Sequence, residues 1–329
     1  MKSGTGSRLW TFEEALALVC DQSQPLSRSV IAMLSGAGQK EVSRFADCWQ
    51  QLSAERRREL VSAMVEMAEA DYELDYNAIF RRFLQSEDPV VRERAVEGLW
   101  EDDQPSLIDP LVRLMVQDPV PAVRARAAAS LGRFALMAEL GEFSEERAAR
   151  LRDDLLEVID NPAEVMEVRR RAIESVACMS DAPVERIIDQ AYADPNEEMR
   201  LSAVFAMGRT ADSRWAEPVM RELRATNPAM RYEAARAAGE IALRQAADDL
   251  IELLDDPDGE VRQMAIWALG QVGGPKARRA LLGCRRSENE AVREAAEEAL
   301  SELDFASGPL DMFYFEGQAS ADEGEQDAQ

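Results

Sequence analysis

From residue 76 onward the alternation of apolar and polar positions repeats seven times. Arg92, Arg124, Arg169, Arg200, Arg231, Arg262 and Arg293 each follow an apolar residue, and each precedes an alanine by three positions (Ala95, Ala127, Ala172, Ala203, Ala234, Ala265 and Ala296). The last five arginines recur every 31 residues. Counted from the arginine, apolar or small residues stand one before and three, four and seven after, as in Val261, Ala265, Ile266 and Leu269. That spacing is one face of an α-helix. The alanine column predicts a seam along which successive helices pack closely. Asp88-Pro89, Asp118-Pro119, Asp194-Pro195, Asn227-Pro228 and Asp256-Pro257 place a capping side chain before a first-turn proline. Gly132, Gly208, Gly239 and Gly270 are expected to loosen or close the far end. A second apolar run precedes each cap, for example Leu250, Ile251, Leu253 and Leu254. Each repeat is therefore two helices.

The flanks follow the same logic less regularly. Residues 1–8 are expected to be disordered. Residues 9–38 form a helical cap, with a capping box at Thr11 and Glu14 and a second helix opened by Ser27. Residues 39–75 read as a degenerate repeat, with Ser53 opening its second helix. Residues 76–304 hold the seven repeats. The third is longer by 14 residues, since Arg124 and Arg169 lie 45 apart; it is either an elongated hairpin or a protruding recognition element. Residues 305–315, with Met312, Phe313, Tyr314 and Phe315, form a lid on the last repeat or a linear motif. Residues 316–329 carry acids and no base and are expected to be disordered.

The run from Asp256 to Gly270, D-P-x-x-x-V-R-x-x-A-x-x-A-L-G, resembles the second helix of a HEAT repeat. The 31-residue length is similar to that of the short HEAT-like repeats of phycobiliprotein lyases. The resemblance implies an all-α fold, a right-handed α-α superhelix of the HEAT-like solenoid kind, with an Asp/Arg ladder joining successive copies. On that reading the seven arginines are structural. The resemblance to HEAT arrays also includes deoxyhypusine hydroxylase, an iron enzyme, but its His-Glu motifs are absent.

Composition narrows the function. A formal charge of -25 disfavours a nucleic-acid partner, because a polyanion is repelled before contact. The chain has no histidine, so Ser-His-Asp and Cys-His nucleophiles and His-ligated metals are excluded. No enzyme activity, cofactor or metal is expected. Cys20, Cys48, Cys178 and Cys284 are scattered, suggesting neither a zinc site nor a disulfide scaffold, and a cytoplasmic setting. Cys178 falls nearer the outward face. No leader or membrane span is expected. The pairs Asp153 with Asp154, Asp248 with Asp249 and Asp255 with Asp256 read as solvated charge.

Function is expected on the concave face, at one, two, five and nine residues past each arginine. The first copy reads Glu93, Arg94, Glu97 and Glu101, with Asp102 and Asp103 beyond, giving an acidic entrance; the middle carries Arg126, Arg133, Arg170 and Arg171. Three later copies carry Leu201, Phe205 and Arg209, then Tyr232, Glu233, Arg236 and Glu240, then Met264, Trp267 and Gln271. These residues are the candidate protein-binding site, centred on Phe205, Tyr232, Arg236 and Trp267. Either a partner covers the large apolar side chains or the curvature of the groove packs them on one another. The expected role is a protein-interaction scaffold or adaptor for a basic or amphipathic segment. The alternative is a lyase-like or chaperone-like factor that loads a chromophore onto a protein.

Overall fold

A computed structural model of the protein describes residues 11–179 and 181–306; among them there is no strand. The expected disorder at 1–8, the lid or motif at 305–315 apart from its first two residues, which end the last helix, and the tail at 316–329 lie outside the described residues. The chain divides into two compact units, residues 1–179 and 180–329. The first contains α1 (Phe12–Cys20), α2 (Arg28–Ala32), α3 (Gln39–Gln51), α4 (Ala54–Ala70), α5 (Asn77–Phe83), α6 (Pro89–Gly98), α7 (Ile108–Gln117), α8 (Pro121–Glu139), α9 (Glu145–Asp160) and α10 (Met166–Val176). The second contains α11 (Ala182–Tyr192), α12 (Glu197–Arg209), α13 (Ala216–Glu222), α14 (Pro228–Glu240), α15 (Ala247–Glu252), α16 (Gly259–Val272), α17 (Gly274–Cys284) and α18 (Glu290–Ala306). The fold is all-α, of the α-α superhelix class.

In each unit the second helices stack in series: α4, α6, α8 and α10 in the first, α12, α14, α16 and α18 in the second. From α6 onward each also packs on the first helix of its own pair, as α8 does on α7 and α14 on α13. All seven alanines of the seam are fully buried. A larger side chain there would push neighbouring backbones apart.

The glycines also serve this stack. Gly208, Gly239 and Gly270 lie in the last turns of α12, α14 and α16, at the far end as expected, while Gly132 lies inside α8. They permit close approach: a Cβ on Gly208 would stand 2.8 Å from Cα of Ala237, one on Gly239 3.1 Å from Cα of Ala268, and one on Gly270 3.2 Å from Cα of Ala299. Each glycine faces the residue six past the next ladder arginine, an alanine for Gly208, Gly239 and Gly270 and Ser175 for Gly132.

Three caps are displaced. Asp88 and Asn227 cap α6 and α14 as expected. The caps of α8, α12 and α16 are Val120, Asn196 and Asp258, two residues beyond Asp118, Asp194 and Asp256. Those three aspartates instead accept the backbone N–H of the displaced cap residue in a local turn. Asp118 and Asp256 accept that N–H on Oδ1 and still receive the ladder arginine on both carboxylate oxygens. The capping box at Thr11 and the Ser53 and Ser144 caps form as read.

The arginine ladder is structural in geometry. Nη1 of Arg92, Arg200, Arg231, Arg262 and Arg293 donates to two carbonyls of the turn ahead of its own helix, five and six residues upstream. Arg92 also forks onto Asp118 of the next copy at 2.6 and 2.8 Å, and Arg231 forks onto Asp256 at the same distances. In the elongated copy Arg124 reaches Glu164 instead. The corresponding positions after Arg200 and Arg262 are Ala225 and Ser287, so the carboxylate half of the ladder is interrupted there.

Further expectations are corrected. Cys20 and Cys48 form a disulfide joining α1 to α3, with Cα atoms 5.8 Å apart; their wide spacing gave no sign of it. Cys178 is buried. Asp249 and Asp256 are buried and bound by Arg224 and Arg231 rather than solvated. Among the described residues no helix is long and apolar enough to cross a membrane.

Candidate functional site

The candidate residues of the second unit occupy the face of α12, α14 and α16 that the first helices leave accessible. Leu201, Phe205, Tyr232, Met264 and Trp267 are half-buried, while Arg209 and Gln271 are exposed. The structure thus gathers the large side chains without leaving any of them fully in water. Three copies in register are needed to do so, because each helix supplies only one or two rings.

Arg236 is the organising residue. Its guanidinium lies 4.0 Å from the centroid of the Phe205 ring, a cation–π stack across the α12–α14 interface. Nη2 donates to the Phe205 carbonyl at 3.2 Å, Nε to Glu233 at 2.8 Å and Nη1 to Glu240 at 2.7 Å. The flexible arginine is thereby fixed as a plate over the ring. Glu240 is anchored to Arg236 through one carboxylate oxygen, while Oε2 is buried and accepts no hydrogen bond. Burial pushes the Glu240 carboxyl up, against the pull of Arg236 and Arg209. A proton donor arriving at that oxygen would be favoured. Trp267 closes onto α14 at Gly239, where its Cζ3 lies 2.5 Å from the position a Cβ would take. Gln271 donates to Glu302 of α18.

The same face in the first unit is charged. Arg126 approaches Glu93 at 4.0 Å and Glu97 at 3.8 Å, Arg94 pairs with Glu97, Arg170 with Glu167, and Arg171 with Glu167 and Glu174. Of these, Glu93, Arg126, Glu167 and Arg171 line an open cleft of about 400 Å³ together with Ala122, Ala125 and Ala129.

Two of the residues assigned to this face belong elsewhere. Asp102 is buried and held by a bidentate bridge from Arg81. Arg133 donates to the carbonyls of Leu99 and Asp102, and burial lowers its pKa to about 10, still charged at neutral pH. The acidic entrance is therefore smaller than expected, reduced at the surface to Glu93, Glu97, Glu101 and Asp103. Sequence reading passed over Trp100, Leu136 and Leu140, which are exposed. The 14-residue excess of the third copy was their available signal, since it carries α8 past the length its neighbours share.

No cluster of acidic or cysteine side chains among the described residues is arranged to hold a metal ion.

The comparisons with known proteins agree with this architecture. Residues 77–177, 184–259 and 216–301 match the family model described as HEAT repeats. Phycocyanobilin lyase subunit alpha of Synechococcus elongatus is 38% identical over 106 residues, covering 29% of this chain and 39% of that protein. The match therefore spans well under half of that relative's length. Among solved structures, a chain of the Kap95:Nup1 complex superposes with a TM-score of 0.50 at 15% identity, over 88% of this chain and 46% of that one. A crystal structure of an engineered protein is 21% identical, with a TM-score of 0.40, over 60% of this chain and 96% of that one.

Proposed function

The chain belongs to the HEAT-repeat family, and from that premise we propose that it is a non-catalytic scaffold or adaptor that holds a basic or amphipathic segment of another protein against α12, α14 and α16. The observation that carries this reading is the Arg236 plate on Phe205, fixed by Glu233 and Glu240 with Trp267 on the next helix. Aromatic and arginine side chains already held in place lose little freedom on binding, which is why they dominate interface energies. The formal charge of -25 favours a basic partner and repels an acidic one. The test is affinity capture with the full chain and with Phe205→Ala/Trp267→Ala. Partners retained by the parent should be lost from the double variant while its helical circular dichroism is kept. Equal retention by both proteins rejects the site.

A second reading rests on the 38% identity to the lyase subunit, which leaves a catalytic role open. On it the chain would assist in loading a chromophore onto a protein. Without histidine, its own groups for such chemistry are carboxylates, arginines and thiols. Incubation with phycocyanobilin decides the point, since a red-shifted bound absorbance supports this reading and an unaltered bilin spectrum ends it.

The proposal places the scaffold in the cytoplasm. The Cys20–Cys48 disulfide argues the other way, as such bonds are rare in a reducing compartment. Mass mapping of thiols alkylated at cell lysis distinguishes the two settings.

A further inference from the structure

Trp100, Leu136 and Leu140 of the first unit are exposed near the ends of α6 and α8. α8 runs for 19 residues to Glu139, while its neighbour α6 ends after 10, at Gly98. Arg133 marks the level at which α6 stops. Its Nη2 donates to the carbonyl of Leu99 at 2.8 Å and to that of Asp102 at 3.1 Å, gripping the turn that carries Trp100. Leu136 and Leu140 follow Arg133 by three and seven residues, so they continue its stripe along α8. The helix that would cover that stripe has already ended. Trp100 is 49% exposed, Leu136 38% and Leu140 68%.

The surroundings of this shelf are acidic. Glu101, Asp103, Glu139 and Glu142 are all exposed. No lysine or arginine occurs in residues 95–112 or 134–146, the two stretches that form the shelf and its rim. Arg133 offsets little of this, since its guanidinium is enclosed and already bound to Ser130 and the two carbonyls.

We infer that the shelf of Trp100, Leu136 and Leu140 is a docking surface for an amphipathic helix of a partner protein whose apolar side is flanked by lysine or arginine. Charge selects this occupant. A second copy of the chain would bring the same carboxylates against the rim. The chain's own residues 316–329 carry five acids and no base, which the rim repels as well. A basic amphipathic helix covers the leucines and neutralises the rim together. This surface lies in the first unit and does not depend on the Phe205–Trp267 row.

The full chain is titrated with two labelled peptides of identical leucine and lysine composition, one amphipathic as a helix and one scrambled, read by fluorescence anisotropy. Scrambling controls for the attraction of any cation to so acidic a protein. The amphipathic peptide should bind at least about tenfold more tightly than the scrambled one, about 1.4 kcal/mol. Leu136→Glu/Leu140→Glu should abolish that preference and Phe205→Ala/Trp267→Ala should keep it. Leu140→Glu alone, at the most exposed position, should reduce the preference and leave melting unchanged. A preference that survives the double glutamate variant overturns the inference. So does a fall in mass by light scattering on introducing those glutamates, which would mean that a second copy occupies the shelf. A preference that arises only after removal of residues 307–329 overturns it too, by making the chain's own terminus the occupant.

Discussion

Five residues past the ladder arginine, the first unit carries Glu97, Ala129 and Glu174, and the second carries Phe205, Arg236 and Trp267 before its last copy returns to a charge at Glu298. The backbone beneath is equivalent: an apolar residue before each arginine, buried in all copies but the last, a buried alanine after it, and second helices stacked in series. What differs is how each face satisfies itself. In the first unit the charges pair with one another in partial exposure beside Ala122, Ala125 and Ala129. In the second a single arginine is held over an aromatic ring and bound on both sides by glutamates. The framework and the face thus vary independently, and this lets one repeat serve two chemistries. Exposed ion pairs have low intrinsic value and exchange readily with water or a ligand. A fixed stack of ring and guanidinium is ready to be buried.

The largest effects should be common to both units, because they act on the framework. Arg92→Ala and Arg231→Ala each strand a buried aspartate, Asp118 or Asp256, and should each cost about 3–5 kcal/mol in urea unfolding. A large loss in only one would show that the ladder is not equivalent in the two units. The pH dependence sharpens the same comparison. Burial pushes the Asp118 carboxyl up, but hydrogen bonds from Arg92 and the Val120 N–H outweigh it; for Asp256 the bond from Arg231 dominates. Both carboxyls lie below their ordinary value of 3.8. A depressed carboxyl adds stability above its unfolded pKa and loses it as pH falls through the folded one. The parent should therefore lose stability below about pH 4, and each arginine variant should show a flatter acid limb.

Smaller differences should separate the two stacks. A Cβ on Gly208 would lie 2.5 Å from Oε2 of Glu240 and 2.8 Å from Cα of Ala237, whereas one on Gly132 meets Ser175 at 3.1 to 3.4 Å. Alanine gains about 1 kcal/mol in helix propensity over glycine at either place. Overpacking costs about 1–3 kcal/mol. Gly208→Ala should be destabilising and Gly132→Ala close to neutral, as read by thermal melting. Similar losses at both sites would mean that the two stacks are equally tight.

Much of this framework is legible in the sequence because it repeats: the arginine, its apolar predecessor and the alanine seam each occur seven times, and periodicity reports a helix face directly. What is not legible depends on neighbours. Asp118, Asp194 and Asp256 look like caps, yet the helix starts two residues later and the aspartate turns inward, two of them to an arginine of the preceding copy. Gly208 and Gly239 mark the last turns of their helices as read, but only the next helix shows why they lack a Cβ. Arg133 and Asp102 share register with surface positions but are drawn inside where α6 stops short. For the face, sequence supplies which residues share it and not which touch: the stack of Arg236 on Phe205 across 31 residues needs the pitch of the stack.

The smallest predicted effect bears most directly on the contrast between faces. Arg126 is 44% exposed and stands 4.0 Å from Glu93 and 3.8 Å from Glu97, the outer limit of an ion pair. Arg236 is 14% exposed, stacked on a ring and donating to a backbone carbonyl. Removing the first returns two carboxylates, Glu93 and Glu97, to water that already reaches them, so Arg126→Ala should cost less than about 0.5 kcal/mol, and that little should vanish in high salt. Removing the second uncovers Phe205 and leaves Glu233 and Glu240 with only the more distant Arg209, 4.0 Å from Glu240, to offset them. Arg236→Ala should cost about 1–2 kcal/mol, with little dependence on salt. Paired urea titrations at low and high ionic strength measure both. Equal, salt-sensitive losses would mean that the stack on Phe205 is as loosely held as the surface pairs, and that the second unit has no more prearranged a face than the first.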